Sequence, residues 1–409
     1  MTVIRLIGRN VSRHKYKSIL HILIGVFIVL ILDIYAGNME RTEQELARLP
    51  EALPVSARIS SLNGSMRECL AIREDRVMGI RESEYVKDPV FTVRLKFGFG
   101  EFTLEEYKEN LNHYGRGMNA LSDVFGLGRE QITFLEGVDE SVLETSQKVC
   151  LMEEALMEAR GLRRGDDVML TTYYYRCAPE GSEVFIEPLV TDTYRIVGSM
   201  LTGDYRGEWM PPEVILPFDC VREAYRSQGI AFFADSGSFM VKDPFQLNAL
   251  KAQMYNEVRF LPVITRALPR YDGNALTIMD EAFIRSAETL LGNIELLRRM
   301  FPFLVSILIF IGYLCSYLSL QSRQEEYALM RSLGTGRGRS FLLLFGETAF
   351  LAAAACVSGS FAALFLFRTK AVVLVLSAAL FLLTFLLGTA VALIAFHRLS
   401  VMQVLTRKD

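Results

Sequence analysis

Histidine and tryptophan are scarce in this chain: four and one among 409 residues. Only His113 falls in the polar middle of the sequence, and no H-E-x-x-H occurs, so zinc proteolysis and most imidazole-based catalysis are excluded. The G-x-S-x-G elbow and the phosphate loop G-x-x-x-x-G-K-[ST] are both missing. The glycine-rich run Gly334-Thr335-Gly336-Arg337-Gly338-Arg339-Ser340 has neither the lysine nor a preceding strand, and is not read as a nucleotide site. Six cysteines contain no C-x-x-C, which removes the usual zinc and redox motifs. Cys69, Cys150, Cys177 and Cys220 lie in the polar middle; one or two disulfides and four free buried thiols are both open there. Acids are abundant, yet no spacing singles out a catalytic pair. The chain is expected not to be an enzyme and to bind no metal or cofactor itself.

What is present is apolar length. Hydrophobic residues make up 51% of the chain, mean hydropathy is +0.25, and the apolar residues are clumped. The net charge of −3 conceals a division. Residues 37–299 carry 42 acids against 30 bases, and the rest 5 acids against 14 bases. Four apolar runs, 19–36, 300–320, 341–367 and 371–396, are predicted as transmembrane helices. The first exceeds the core of a secretory leader and no A-x-A site follows it, so it is read as uncleaved. Residues 1–18 have the spacing of a basic amphipathic helix at a membrane surface. Segments assigned inside hold 12 Lys and Arg, whereas the short turn 368–370 holds two, which places both termini in the cytoplasm. His21 and Asp33 are expected near the ends of the first run, reaching headgroups. Pro302 is expected in the first turn of the second helix, where proline is tolerated. Small residues crowd the third helix (Ala352–Ala355, Gly359, Ala362, Ala363) and suit close helix packing. Glu347, within that helix, fits either a packing or gating contact or a surface residue reaching the inner headgroups.

Residues 37–299 read as a large mixed α/β extracytoplasmic domain inserted between helices 1 and 2, with a polar stalk helix at each end, 38–48 (ended by Pro50 and Pro54) and 276–299. Strands are predicted at 55–60, 91–97, 132–135, 168–175, 184–186, 194–197 and 214–216, and helices at 104–111, 151–159, 219–227 and 244–257. Tyr173-Tyr174-Tyr175 reads as a strand with one buried face.

Between helices 2 and 3 lies a charged segment, 321–340. Residues 324–333 fit one short helix, with Tyr327, Met330 and Leu333 at three-residue steps and Leu329 beside them. Glu325 and Glu326 suit its N-terminal dipole, Gly334 its end, and Ser340 a cap for helix 3. A loop needed only to reverse direction would be shorter.

This order of elements, with the segment Glu325-Glu326-Tyr327-Ala328-Leu329-Met330-Arg331-Ser332-Leu333-Gly334, resembles the MacB/FtsX-like permeases of ABC systems. Arg323 stands one residue closer than in that family's R-x-x-E-x-x-x-x-R-x-[LI]-G segment. Gly346-Glu347 is similar to the family's early acidic residue in helix 3, and 400–405 to its closing tail, with Val401 where proline is common. In the middle domain, 149–156 followed by Gly161-Leu162-Arg163-Arg164-Gly165-Asp166, and then Tyr194-Arg195-Ile196-Val197-Gly198, resemble the MacB core pattern with its G-L-x-x-G-D turn. The resemblance implies a bacterial multi-pass membrane subunit of the mechanotransmission type, paired with a second permease subunit, identical or not. It implies a cytosolic ABC ATPase partner, which would hold the ATP and Mg, engaged through Glu325, Glu326, Tyr327, Leu329, Met330, Arg331, Leu333 and Gly334. Lipids and an extracytoplasmic protein are further partners in this reading; nucleic acid is not. Motion of the outer domain would extrude a compound, peptide or lipoprotein. The alternative is an FtsX-like regulator of an extracellular cell-wall hydrolase, which the 263-residue outer domain disfavours. A receptor or adhesion role leaves the charged segment and three C-terminal helices without purpose.

Overall fold

A computed structural model describes residues 15–101, 113–122, 126, 128–177, 184–203, 205, 210–264, 273–321, 335–367 and 370–397. The expected amphipathic segment 1–14, helix 104–111, coupling helix 324–333 and tail 398–409 lie outside the described residues. The chain divides into two compact units, Pro50–Ile284 on one hand and Met1–Leu49 with Arg285–Asp409 on the other.

The second of these is helical. It contains most of α1 (Lys15–Ala52) and the other long helices, which follow the α/β unit in the chain. Among the described residues four helices are long and apolar enough to cross a membrane. Pro50 does not end α1, which continues through it to Ala52. A proline so close to a helix end forfeits one bond, to the carbonyl four residues back, and little else.

The α/β unit starts with β1 (Ser56–Ser61), β2 (Ile72–Arg73), α2 (Glu74–Arg81), β3 (Val86–Phe99) and β4 (Tyr114–Met118). It continues with β5 (Ile132–Phe134), β6 (Val149–Glu153), α3 (Glu154–Arg160), β7 (Asp167–Cys177) and β8 (Val184–Met200). Last come β9 (Val214–Pro217), α4 (Phe218–Ser227), β10 (Phe233–Ala234), β11 (Ser236–Val241), α5 (Leu247–Asn256) and β12 (Asn274–Ile278). Then follow α6 (Glu281–Gln321), α7 (Arg337–Phe367) and α8 (Ala371–His397).

The sheet closes on itself. Strands β3, β4, β9, β6, β8 and β7 pair in that cyclic order, β7 returning to β3, so a six-stranded barrel forms, with β5 on β8. Closure removes exposed edges there. The long strand β3 makes this possible: residues 92–96 pair with β4, while its opposite edge serves β11 first and β7 at 96–99. Beyond β11 the sheet continues to β1 and β12. Apart from β4–β9 and β6–β8, neighbouring strands are antiparallel.

Prolines set the irregularities. Pro89 lies in β3 after Asp88 (φ 48°), opposite a register shift in β11. Asn119 patches the gap, its side-chain amide donating to the Pro89 carbonyl (2.6 Å) and its oxygen accepting from Phe91 N–H (2.6 Å). Pro188 faces Tyr173 where β7 shifts register against β8. A residue without an N–H cannot complete the ladder, so a bulge absorbs it.

Several expectations are corrected. Residues 184–186 and 194–197 belong to one strand, β8. The helix expected over 151–159 is a buried strand, β6, followed by the short α3, because Val149–Glu153 is inserted between β8 and β9. The stalk expected from 276 starts at Glu281, since Leu276, Thr277 and Ile278 pair with β1. Pro302 is interior to α6 and not in a first turn, because polar residues 281–299 continue one helix into the apolar run.

Strand β4 shows how sequence and packing interlock. A Cβ on Gly115 or Gly117 would stand 2.7 Å from Leu95 Cδ1 or Val93 Cγ1, so glycine is what lets β3 side chains lie across this strand. Between them Arg116 is 0% exposed, bonding Glu68 (3.0 Å) and the Tyr114 hydroxyl (3.2 Å). Burial pushes Tyr114 up to about 12, against the opposing pull of Arg116. Burial also works against the Arg116 charge, but Tyr114 and Glu68 outweigh it and raise the guanidinium above its ordinary value. Nearby, Arg94 pairs with Asp235 (3.2 Å), whose carboxyl is raised by burial and lowered in part by that arginine. Removing one partner of such a pair strands a buried charge. Arg116→Met should therefore cost about 3–5 kcal/mol, read as a lower Tm of the full chain in detergent. Arg116→Met with Glu68→Leu should recover much of the loss.

Candidate functional site

The helical unit is organised by close helix approaches that only glycine permits. Helices α1 and α7 run side by side in the same direction. A Cβ on Gly25 would meet the Ala355 side chain (2.6 Å), and one on Gly359 would meet Val29 Cβ (2.8 Å). Helices α6 and α8 also run parallel: a Cβ on Gly312 would lie 2.9 Å from the Phe385 carbonyl, and one on Gly388 would be 2.6 Å from Tyr313 N. Further along, Ser316 and Thr389 share a buried hydroxyl contact of 2.8 Å. Phe381 and Phe385 fill the middle with Ile28, Val29, Leu32 and Leu308. Small residues and buried hydroxyls supply the packing where these helices cross.

These registers fix which ends coincide. At one end Leu320, Leu344, Leu393 and Phe396 cluster, bringing together the end of α6, the start of α7 and the end of α8. The segment 322–334 joins α6 to α7 there. At the other end Lys370 bonds Glu40 (2.6 Å), and the Tyr35 hydroxyl donates to the Leu297 carbonyl. Both chain connections to the α/β unit leave from this second end, past Glu40 in α1 and before Leu297 in α6.

Charged and polar side chains inside the unit stand differently from the sequence expectation. Asp33 and His21 do not reach outward; Asp33 is 0% exposed and His21 is buried with its ring edge-on to Phe385 (5.6 Å). Ser377 of α8 donates to Asp33 Oδ1, and Asp33 Oδ2 is buried without a hydrogen-bond partner among the described residues. Glu347 is 3% exposed, within the helices. Ser340 is not a cap: α7 starts at Arg337, and the Ser340 hydroxyl donates back to the Gly336 carbonyl (3.4 Å). Glu325, Glu326, Tyr327, Leu329, Met330, Arg331, Leu333 and Gly334 lie outside the described residues. Missed in the sequence were the crossings of α6 with α8. Their signal was readable: Gly312-x-x-x-Ser316 and Gly388-x-x-x-Ala392 repeat the small-residue spacing of Gly359-x-x-x-Ala363.

In the α/β unit the Gly161-Leu162-Arg163-Arg164-Gly165-Asp166 stretch has a structural task. Gly161 (φ 68°) ends α3, its N–H bonding the Glu158 carbonyl and that of Leu162 the Met157 carbonyl. Gly165 (φ 100°) donates to the Ile196 carbonyl (2.7 Å), and Ile196 N–H bonds the Asp166 carbonyl (2.9 Å), so the turn is stitched to β8. Cys69, Cys150 and Cys220 are free thiols; burial pushes them up to about 11, 12 and 11, far from thiolate chemistry at neutral pH. Tyr173 is buried and Tyr174 bonds Glu187 (2.7 Å). Among the described residues no group of three or more His, Cys, Asp or Glu could hold a metal.

No family model and no curated protein matches this chain. Among solved structures, the periplasmic region of MacB from Actinobacillus actinomycetemcomitans aligns with 59% of this chain and 92% of its own length, at 10% identity and a TM-score of 0.31.

The hydroxyl pair gives a direct test of the α6–α8 crossing. With native cysteines replaced by serine, Ser316→Cys with Thr389→Cys should form a disulfide on mild oxidation, seen as a mobility shift on a gel. Adding Gly388→Leu should abolish the cross-link.

Proposed function

We propose that this chain is the membrane subunit of an ABC-type assembly in which a separate cytosolic ATPase drives movement of the α/β unit outside the cell. The observation that carries the reading is the arrangement of ends: the two connections to the α/β unit leave one end of the helical unit, and the charged connector 322–334 joins helices at the other. A rigid, glycine-packed set of helices between them is suited to transmit displacement, since packed interfaces shift between discrete arrangements and do not deform smoothly. The family-like residues of the connector add support from the sequence.

In this reading the four long helices span a bacterial cytoplasmic membrane with both termini inside. The chain hydrolyses nothing; ATP and Mg belong to the ATPase, and a second permease subunit completes the pair. Tyr327, Leu329, Met330 and Leu333 form the apolar ridge that seats in the ATPase, while Glu325, Glu326 and Arg331 make its polar contacts and Gly334 turns the chain back toward α7. Glu347, buried one helical stretch further on, senses repacking of the connector end. Motion of the α/β unit drives extrusion of a compound, peptide or lipoprotein.

Met330→Asp with Leu333→Asp tests the connector. The variant should insert and fold as the wild type does, with an unchanged Tm in detergent, yet lose the ATPase that copurifies from native membranes. Retention of that ATPase at wild-type stoichiometry would refute the assignment.

A further inference from the structure

The α/β unit holds a cleft of about 670 Å³ between α2 and the chain leaving α5, lined by Arg73, Asp75, Arg76, Glu82, Gln253, Glu257 and Arg259, with Gly79 and Val258 on its floor. Its walls are in fixed register. The Ser83 hydroxyl bonds Gln253 at one end (2.5 Å). A Cβ on Gly79 would stand 3.2 Å from Val258 Cγ2, so glycine keeps the middle open and flat. At the far end the Arg76 guanidinium lies 5.4 Å over the Phe260 ring. Glu82 and Glu257 therefore sit toward the Ser83 end, and Arg76 and Arg259 toward the Phe260 end. The cleft is polarised.

The Arg end is neutralised only in part. Arg73 pairs with Asp75 (3.0 Å), whose charge also acts on Arg76, but among the described residues neither Arg76 nor Arg259 forms an ion pair, and Glu82 and Glu257 pair with no base. Burial lowers the Arg76 guanidinium; Asp75 opposes this, and the like charges of Arg73 and Arg259 add to it. Arg259 is held at φ 63°, a backbone state that side-chain-bearing residues seldom adopt, and it lines the cleft with Arg76, close enough for its charge to act on the Arg76 guanidinium. Two unpaired guanidinia side by side favour a bidentate anion, and two carboxylates at the opposite end favour an ammonium.

Arg76 and Glu82 both line the cleft and are six residues apart along α2 and its C-terminal turn, about 9 Å along the helix axis at ~1.5 Å per residue. An extended tripeptide places its ammonium and carboxylate about 9–10 Å apart, at ~3.3 Å per residue. We propose that this cleft binds a short linear peptide of about three residues, its carboxylate held by Arg76 and Arg259 and its ammonium by Glu82 and Glu257. The flat floor of Gly79 and Val258 suits small side chains.

The test is calorimetric titration of tri-alanine into the full chain in detergent, with no ATPase present, so its outcome is separable from that of the proposed function. Tri-alanine should bind, and its C-terminal amide and its N-acetyl form should each bind about tenfold or more weakly. Arg259→Gln, whose side chain is exposed, should weaken tri-alanine about tenfold without lowering Tm. Glu82→Gln should erase the preference for a free ammonium. Absence of tri-alanine binding at millimolar concentration, equal affinity for the amide, or acetate binding as tightly as tri-alanine would each overturn the proposal.

Discussion

Direct backbone contact between helices is the constraint on which the helical unit depends. At Gly312 and Gly388 even one methyl group would collide with main-chain atoms of the neighbouring helix. The same holds at Gly25 and Gly359, where the obstacle is a neighbouring side chain. Once these crossings are fixed, the rest of the register follows. Phe381 and Phe385 fill the centre, Ser316 meets Thr389, Asp33 meets Ser377, and Lys370 reaches Glu40. The parallel pairing of α1 with α7 and α6 with α8 then determines which helix ends share a face. That sharing gives the charged connector and the α/β connections opposite ends of one packed body.

Buried polar groups recur in both units and act in different ways. In the barrel, Arg116 with Glu68 and Arg94 with Asp235 place opposite charges against one another, so the cost of burial is met by partners and by hydrogen bonds. In the helical unit the groups are mostly hydroxyls, which bond back to carbonyls of their own helix, as Thr384 and Thr389 do, and add one contact across an interface. Asp33 stands apart because one oxygen is satisfied and the other is not. The cleft between α2 and α5 is different again. Apart from the Arg73–Asp75 pair, its charges are sorted by sign along its length and form no ion pairs among the described residues, which is what a ligand of matching polarity requires.

The long helices were legible in the sequence because apolar length is a property of composition, and they extend beyond the apolar runs because the polar flanks 38–48 and 281–299 contain no proline. The barrel was legible only in part. Strand β4, Tyr-Gly-Arg-Gly-Met, has the composition of a turn; it is a strand because β3 covers its glycines and Glu68 pairs with its arginine. Strand β6 carries Leu, Met and Glu, which favour helix, and tertiary pairing with β8 and β9 overrides that preference. Strand β8 read as two pieces because Pro188 interrupts the pattern, and a bulge restores it. His21 and Asp33 were misplaced for one reason: a polar residue near the end of an apolar run points to lipid or to a neighbouring helix according to packing that composition does not encode. The polarised cleft had no sequence signal, since its two walls are some 170 residues apart.

The account rests on displacement passing from the connector end of the helices to the end that leads into the α/β unit. The direct measurement places spin labels at Arg41→Cys and Glu288→Cys, both exposed and both on helices at the far end, in a chain whose native cysteines are serine. Distances are then compared in the complex purified from native membranes, with a non-hydrolysable ATP analogue and with ADP. The account predicts an ATPase in that complex and a label distance that differs between the two nucleotide states. A complex with no ATPase, or the same distance distribution in both states, would contradict it.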